Sequence, residues 1–159
     1  VAAAEHWGAS TSELFAGSPY HLPEDPLQRL LAYVDFRKAL LRGTPAEICC
    51  YAGTVVQEMY LASPALREAC SACIQNHAAT LEADIAAACA QRGLAADWSP
   101  LSLALHTQAV LQGAFVLAKA SGEITLAEQS CDHLRRYIEL LFSFQPTQGL
   151  PDVPGPETR

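Results

Sequence analysis

The run Leu101–Ala118 contains no Asp, Glu, Lys or Arg. A helix on the surface of a globular protein keeps a charged face for water, so a helix without charge must be covered on most of its sides. Its length sits at the short edge of a bilayer span, which takes about 20 predominantly apolar residues. Ser102, His106, Thr107, Gln108 and Gln112 interrupt it and no basic flank precedes it, so it reads as a buried bundle helix and no membrane association is expected. After a Ser121-Gly122 break, Ile124–Phe142 carries an apolar stripe at Ala127, Cys131, Leu134, Ile138 and Leu141. Two such helices make half of a four-helix bundle, and a second copy of the chain can supply the other half.

Composition narrows what the rest can be. With 159 residues the chain suffices for one domain with a core. Half its residues are hydrophobic and 17% are charged, which argues against disorder over most of its length. The net charge of -7, with 10 basic residues set against 17 acidic ones, excludes a phosphate-gripping surface on this segment. The six cysteines read as reduced thiols of a cytoplasmic protein, since no signal peptide is visible and the apolar supply needs no staples. The chain opens on Val1-Ala2-Ala3-Ala4 in a helix-favouring stretch, as expected of a piece whose preceding part is missing.

Helix starts are marked by an oxygen-bearing side chain directly before proline: Asp25-Pro26, Thr44-Pro45, Ser63-Pro64 and Ser99-Pro100. The side chain accepts from an orphan N–H, and proline's missing donor costs nothing at the first helical position. Gly43, Gly93 and Gly122 stand where left-handed helix stops are expected. These marks predict helices over 26–42, 45–62, 64–92, 100–120 and 124–144, with a further one over about 2–15. No segment alternates apolar and polar residues over a strand's length, so the fold class is all-α with about six helices. The link 16–24, with Gly17, Pro19 and Pro23, reads as an ordered loop, and the proline-rich 145–159 as a flexible tail.

The segment His106–Ala120, followed by Asp132–Phe142, resembles the C-terminal domain of TetR-family transcriptional regulators. Pro26–Leu31, Tyr33–Arg37, Cys49–Glu58 and Pro64–Cys70 are similar to successive helices of the same domain, so the likeness spans about 27–142. The resemblance implies an effector-binding and dimerisation domain over 16–144 of a transcriptional repressor. It implies a homodimer whose last two helices form a four-helix interface, and a pocket for a small, largely apolar organic effector. Operator DNA would be met only through an N-terminal helix-turn-helix reader that this chain lacks, with 1–15 as the end of the connecting helix. Effector binding would release the operator in the full-length protein. No cofactor is implied.

Within that frame the interface residues are Leu103, Val110, Gly113, Ala114 and Leu117 on one helix and Leu134, Tyr137, Ile138 and Leu141 on the other. The small residues permit close approach and the large ones interdigitate. For the pocket, Tyr33, Phe36 and Arg37 share one helix, while Cys49, Gly53, Val56, Gln57 and Tyr60 fall on the next. Arg37 and Gln57 would orient a polar group in an apolar cavity, with His77, His106 and Phe115 completing the wall. An alternative is a thiol- or metal-responsive sensor on the same scaffold. Cys70, Cys73 and His77 lie at i, i+3 and i+7 on one helical face, and Cys49 or Cys50 would supply a fourth ligand. Against it, free cysteine often simply packs. An enzyme is not expected: there is no Gly-rich phosphate loop, no His-Glu-x-x-His and no nucleophile elbow. Glu82 and Asp84 do not face each other on a helix and read as a solvated edge.

Overall fold

The computed structural model describes residues 1–143 and is helical throughout its ordered elements. They are α1 (Ala2–Ala16), α2 (Pro26–Ala39), α3 (Tyr51–Met59), α4 (Pro64–Arg92), α5 (Pro100–Ser121) and α6 (Thr125–Ser143). A single 3-10 turn, Pro19–His21, orders the link between α1 and α2. The tail expected over 145–159 lies outside the described residues.

The caps behave as local chemistry requires. Asp25, Ser63 and Ser99 each accept a backbone N–H from the first turn of α2, α4 and α5, with proline at the following position. Gly93 and Gly122 close α4 and α5 at φ of 60° and 76°, a region that costs a β-carbon-bearing residue energy and glycine none.

One stretch departs from the expected pattern. The helix read over 45–62 begins instead at Tyr51, with the Cys50 thiol accepting from the Gly53 N–H, and α2 stops at Ala39 rather than at 42. Thr44-Pro45 starts only one turn. The Glu47 carboxylate accepts from both the N–H and the hydroxyl of Thr44 (2.7 and 3.0 Å), and the Glu47 N–H donates to the Thr44 carbonyl. Leu41 and Ile48, at the two ends of this segment, are both drawn into the core. Burying these two side chains outweighs the few tenths of a kcal/mol per residue that helix propensity offers.

Packing divides into two clusters. The larger one joins α2, the C-terminal half of α4, α5 and α6 around Leu30, Val34, Ile85, Leu111, Leu134 and Ile138. The smaller one joins α1, α3 and the N-terminal half of α4 around Ala4, Ala52 and Cys70, with Trp7, Val55 and Ile74 against them. Ion pairs tie α2 to its neighbours: Arg29–Asp84 and Arg92–Asp25 to α4, Lys38–Asp132 and Arg135–Asp35 to α6. Asp84 is thus a partner of Arg29 rather than a free edge.

The apolar stripe of α6 is real, but its occupant differs from the expectation. Leu134 and Ile138, and Leu103 and Ala114 on α5, are buried inside their own chain. Four of the nine residues assigned to the interface are therefore core. Val110 and Leu141 are half-buried against that core, while Gly113, Leu117 and Tyr137 do face outward. The outer face of α5 and α6 carries apolar residues the spacing did not single out: Leu105, Val116 (54% exposed) and Leu140 (68%), beside Leu117 (55%). The His106 and Tyr137 rings lie 5.2 Å apart, which makes the two helices' outer faces one surface. By length and composition α5 could cross a membrane, but its buried face includes Thr107 and Gln108 and packs against α4 and α6.

Candidate functional site

A cavity of about 220 Å³ opens where the two clusters fail to meet. Helical spacing lines three of its walls. Trp7, Thr11 and Leu14 come from one face of α1; Cys73, Ile74 and His77 from α4; and Gln108, Gln112 and Phe115 from α5 at i, i+4 and i+7. The fourth wall is the end of α2 with the irregular segment after it: Arg37, Leu40, Leu41, Ile48, Cys49 and Cys50. Most of the lining is apolar. Three of its polar side chains, Arg37, His77 and Gln108, converge on one spot, the composition of a small-molecule site.

That spot is organised by Tyr33, which is wholly buried beneath the cavity floor. Its hydroxyl accepts from Arg37 Nη1 (2.8 Å) and from Gln108 Nε2 (2.9 Å). Its one proton is then left for His77 Nε2, 2.8 Å away. His77 therefore accepts at Nε2, which requires the neutral tautomer protonated at Nδ1. Burial, reinforced by the charge of Arg37, pushes the His77 pKa down to about 4, in keeping with that assignment. The Phe15 ring packs edge-on against the imidazole at 4.4 Å.

Arg37 is only 9% exposed, yet no carboxylate pairs with it among the described residues. The faces of Phe15, Tyr33 and Phe115 surround its guanidinium at 5.4–5.8 Å and partly replace a counter-ion. Its hydrogen bonds all leave through Nη1: the bond to Tyr33 and longer contacts to His77 Nε2 (3.4 Å) and Gln108 Oε1 (3.5 Å). No buried side-chain nitrogen or oxygen among the described residues lacks a partner. The remaining donors, Nε and Nη2, must accordingly be reachable from open space.

Of the pocket residues read from the sequence, the structure brings Arg37, Cys49, His77 and Phe115 together on the cavity wall. Tyr33 lies directly beneath them, and Phe36 packs against Phe15 behind them. Gly53 sits behind the wall: a β-carbon there would come within 2.9 Å of Gln112 Cδ, so the bare glycine makes room for that amide. Gln57 turns back to donate to the Gly53 carbonyl. Val56 and Tyr60 face a separate shallow cleft against α4, and His106 stacks with Tyr137 on the outer face of α5. These last three therefore stand apart from the cavity. Trp7, Thr11, Leu14 and Phe15 were missed because the first helix was read as a connector. Gln108 and Gln112 carried a usable signal, since two amides on an uncharged buried helix must find partners inside.

The thiols do not assemble into a metal site. Cys70 is buried in the smaller cluster, Cys73 lines the cavity, and the free nitrogen lone pair of His77 is taken by Tyr33. Among the described residues no three metal-ligating side chains come together. Burial pushes the Cys70 and Cys73 thiols up, away from the reactive thiolate.

The fold and site thus define a helical domain with a small internal cavity and a polar cluster at its floor. A family profile described as the tetracyclin repressor-like C-terminal domain matches residues 26–134, more than half of the chain. The protein belongs to this family of transcriptional regulator domains. No curated protein and no solved structure matches the chain.

Proposed function

We propose that this is the effector-binding and dimerisation domain of a TetR-like transcriptional repressor, in which a small molecule entering the cavity releases operator DNA. The observation that carries the proposal is the composition of the cavity wall. α1 contributes Trp7, Thr11 and Leu14 to the same cavity as α4 and α5, so a ligand touches α1 and the body of the domain at once. In the full-length protein α1 leads toward the DNA reader. A ligand that fits one setting of α1 better than another shifts the population of DNA-reader spacings, by no more than its differential affinity for the two.

The second half of the proposal is a homodimer through the outer face of α5 and α6. Leu105, Gly113, Val116 and Leu117 with Tyr137 and Leu140 form an apolar surface on which Lys119, near the C-terminal end of α5, is the one charged side chain that helix exposes. Two copies related by a two-fold axis cover it mutually as a four-helix bundle.

The test is a thermal-shift screen of organic molecules on this domain, followed by operator binding with the full-length protein. A ligand of the cavity raises the Tm by mass action and weakens operator binding over the same concentration range. Ile74→Trp, which fills the cavity, abolishes both effects. A stabilising ligand that leaves operator affinity unchanged would refute the mechanism.

A further inference from the structure

We infer that the cavity takes a compact organic acid, an apolar body bearing an ionised carboxylate that pairs with Arg37. The inference rests on the reading of the cavity as an effector site and names the chemical class of its occupant.

Three features of the wall converge on it. The first is charge: Arg37 lines the cavity nearly buried, and the partners of its guanidinium are all neutral. A buried cation is costly unless it is paired, and ring faces and long contacts to an amide and an imidazole compensate it incompletely. Glu47, the acidic side chain on the wall, commits its Oε2 to the Thr44 N–H and hydroxyl instead. The second is geometry. Nη1 is anchored to Tyr33, which fixes the plane of the guanidinium, and leaves Nε and Nη2 as an adjacent pair of donors with access to open space. Those two parallel N–H groups match the two oxygens of a carboxylate.

The third is what surrounds the charge. Gln108 and Gln112 add amides on the α5 side, and neutral His77 closes the floor without adding a second positive charge. Trp7, Leu14, Leu41, Ile48 and Phe115 form the rest of the enclosure. These walls favour an aliphatic or aromatic body and exclude a second charge. At about 220 Å³ the space is smaller than the roughly 300–1,000 Å³ of drug-sized sites, so the body must be compact. Arg42 also lies on the wall; its Nε bonds the Ala39 carbonyl, and its charge adds to the pull on an approaching anion.

The experiment compares octanoate, decanoate and naphthoate with their primary amides, by thermal shift and calorimetry on the intact chain at neutral pH. Each amide keeps the shape and removes the charge. The acids are expected to stabilise the protein and the amides to bind at least about tenfold more weakly, as a hydrogen-bonded charge pair implies. Arg37→Gln should weaken the acids by about 10- to 100-fold and leave the amides unchanged. Arg37→Lys, which keeps the charge but not the fork, should fall between. Should Arg37→Gln fail to fold, Gln112→Glu on the half-buried part of the wall places a competing carboxylate in the cavity and should erase the preference for acids. Amides that bind as tightly as acids would overturn the organic-acid assignment while leaving the effector site standing. If neither acids nor amides shift the Tm, the organic-acid assignment falls, and the effector reading falls with it only if the wider screen of organic molecules also yields no stabilising ligand.

Discussion

Replacing Tyr33 by Phe removes one oxygen and tests the whole floor of the cavity. The ring stays, so the packing against Phe15, Tyr20 and Arg37 is kept, and the change isolates the hydroxyl. Three partners lose it: Arg37 Nη1, Gln108 Nε2 and His77 Nε2. Arg37 suffers least, because its contacts to His77 and Gln108 remain and its other donors reach open space. Gln108 Nε2 has no substitute partner and His77 Nε2 keeps only the long 3.4 Å contact to Arg37 Nη1, and an unsatisfied buried polar group costs about 1–3 kcal/mol. Taking about 1–2 kcal/mol for each of these two gives a loss of about 2–4 kcal/mol. For a chain of this size each kcal/mol lowers the Tm by about 2–4 °C, so Tyr33→Phe should melt about 4–16 °C below the wild type. Urea unfolding measures the same loss as a shift in midpoint at unchanged slope. A variant within about 0.5 kcal/mol of wild type would refute the network, because surface-like substitutions fall in that range.

Other outcomes follow from the same structure. His77 has a folded pKa of about 4 against an ordinary 6.5, so the unfolded chain binds the proton more readily between these values. Stability should therefore fall as the pH drops from about 6.5 to 4, by about 3 kcal/mol in total, and level off below. Urea titrations of wild type and His77→Gln across that window check it, and equal slopes for both would remove His77 as the cause. Leu117→Glu and Leu140→Glu, at exposed positions on the outer face of α5 and α6, should yield a folded monomer in sedimentation, whereas Ile138→Ala should cost about 2–5 kcal/mol of stability because that side chain is wholly buried. Asp25→Ala removes the cap of α2 and the partner of Arg92; denaturation should show a loss of about 1–2 kcal/mol, most of it from the cap.

The limits of sequence reading are clearest at Thr44-Pro45. The dipeptide has the same form as Asp25-Pro26, Ser63-Pro64 and Ser99-Pro100, and at those three the structure starts a helix. At Thr44 it does not: one turn there gives way to an irregular segment, and Leu41 and Ile48 at its two ends are both buried in the core. The resulting irregular segment is the fourth wall of the cavity. A local rule failed here because of a demand set elsewhere in the fold.

The interface residues show the same division. Spacing in α6 correctly identified the stripe Ala127, Cys131, Leu134 and Ile138, but spacing alone cannot say which neighbour a stripe meets. It meets α2 and α5 of the same chain, and the outward apolar face belongs to other residues, Leu140 among them.

By itself the sequence determined the helical class, the boundaries of α4 and α5, the family, and the inward stripe of α6. All but the family depend on residues within a few turns of one another, through caps, glycine stops and the helical period, and the family depends on the order of such segments along 26–134. Only the tertiary structure decided where the cavity lies and what fills its floor. Tyr33 lies 44 and 75 positions from its hydrogen-bonding partners His77 and Gln108, and the cavity is a gap left between two packed clusters. A gap has no residues of its own, and its contents depend on how whole helices meet.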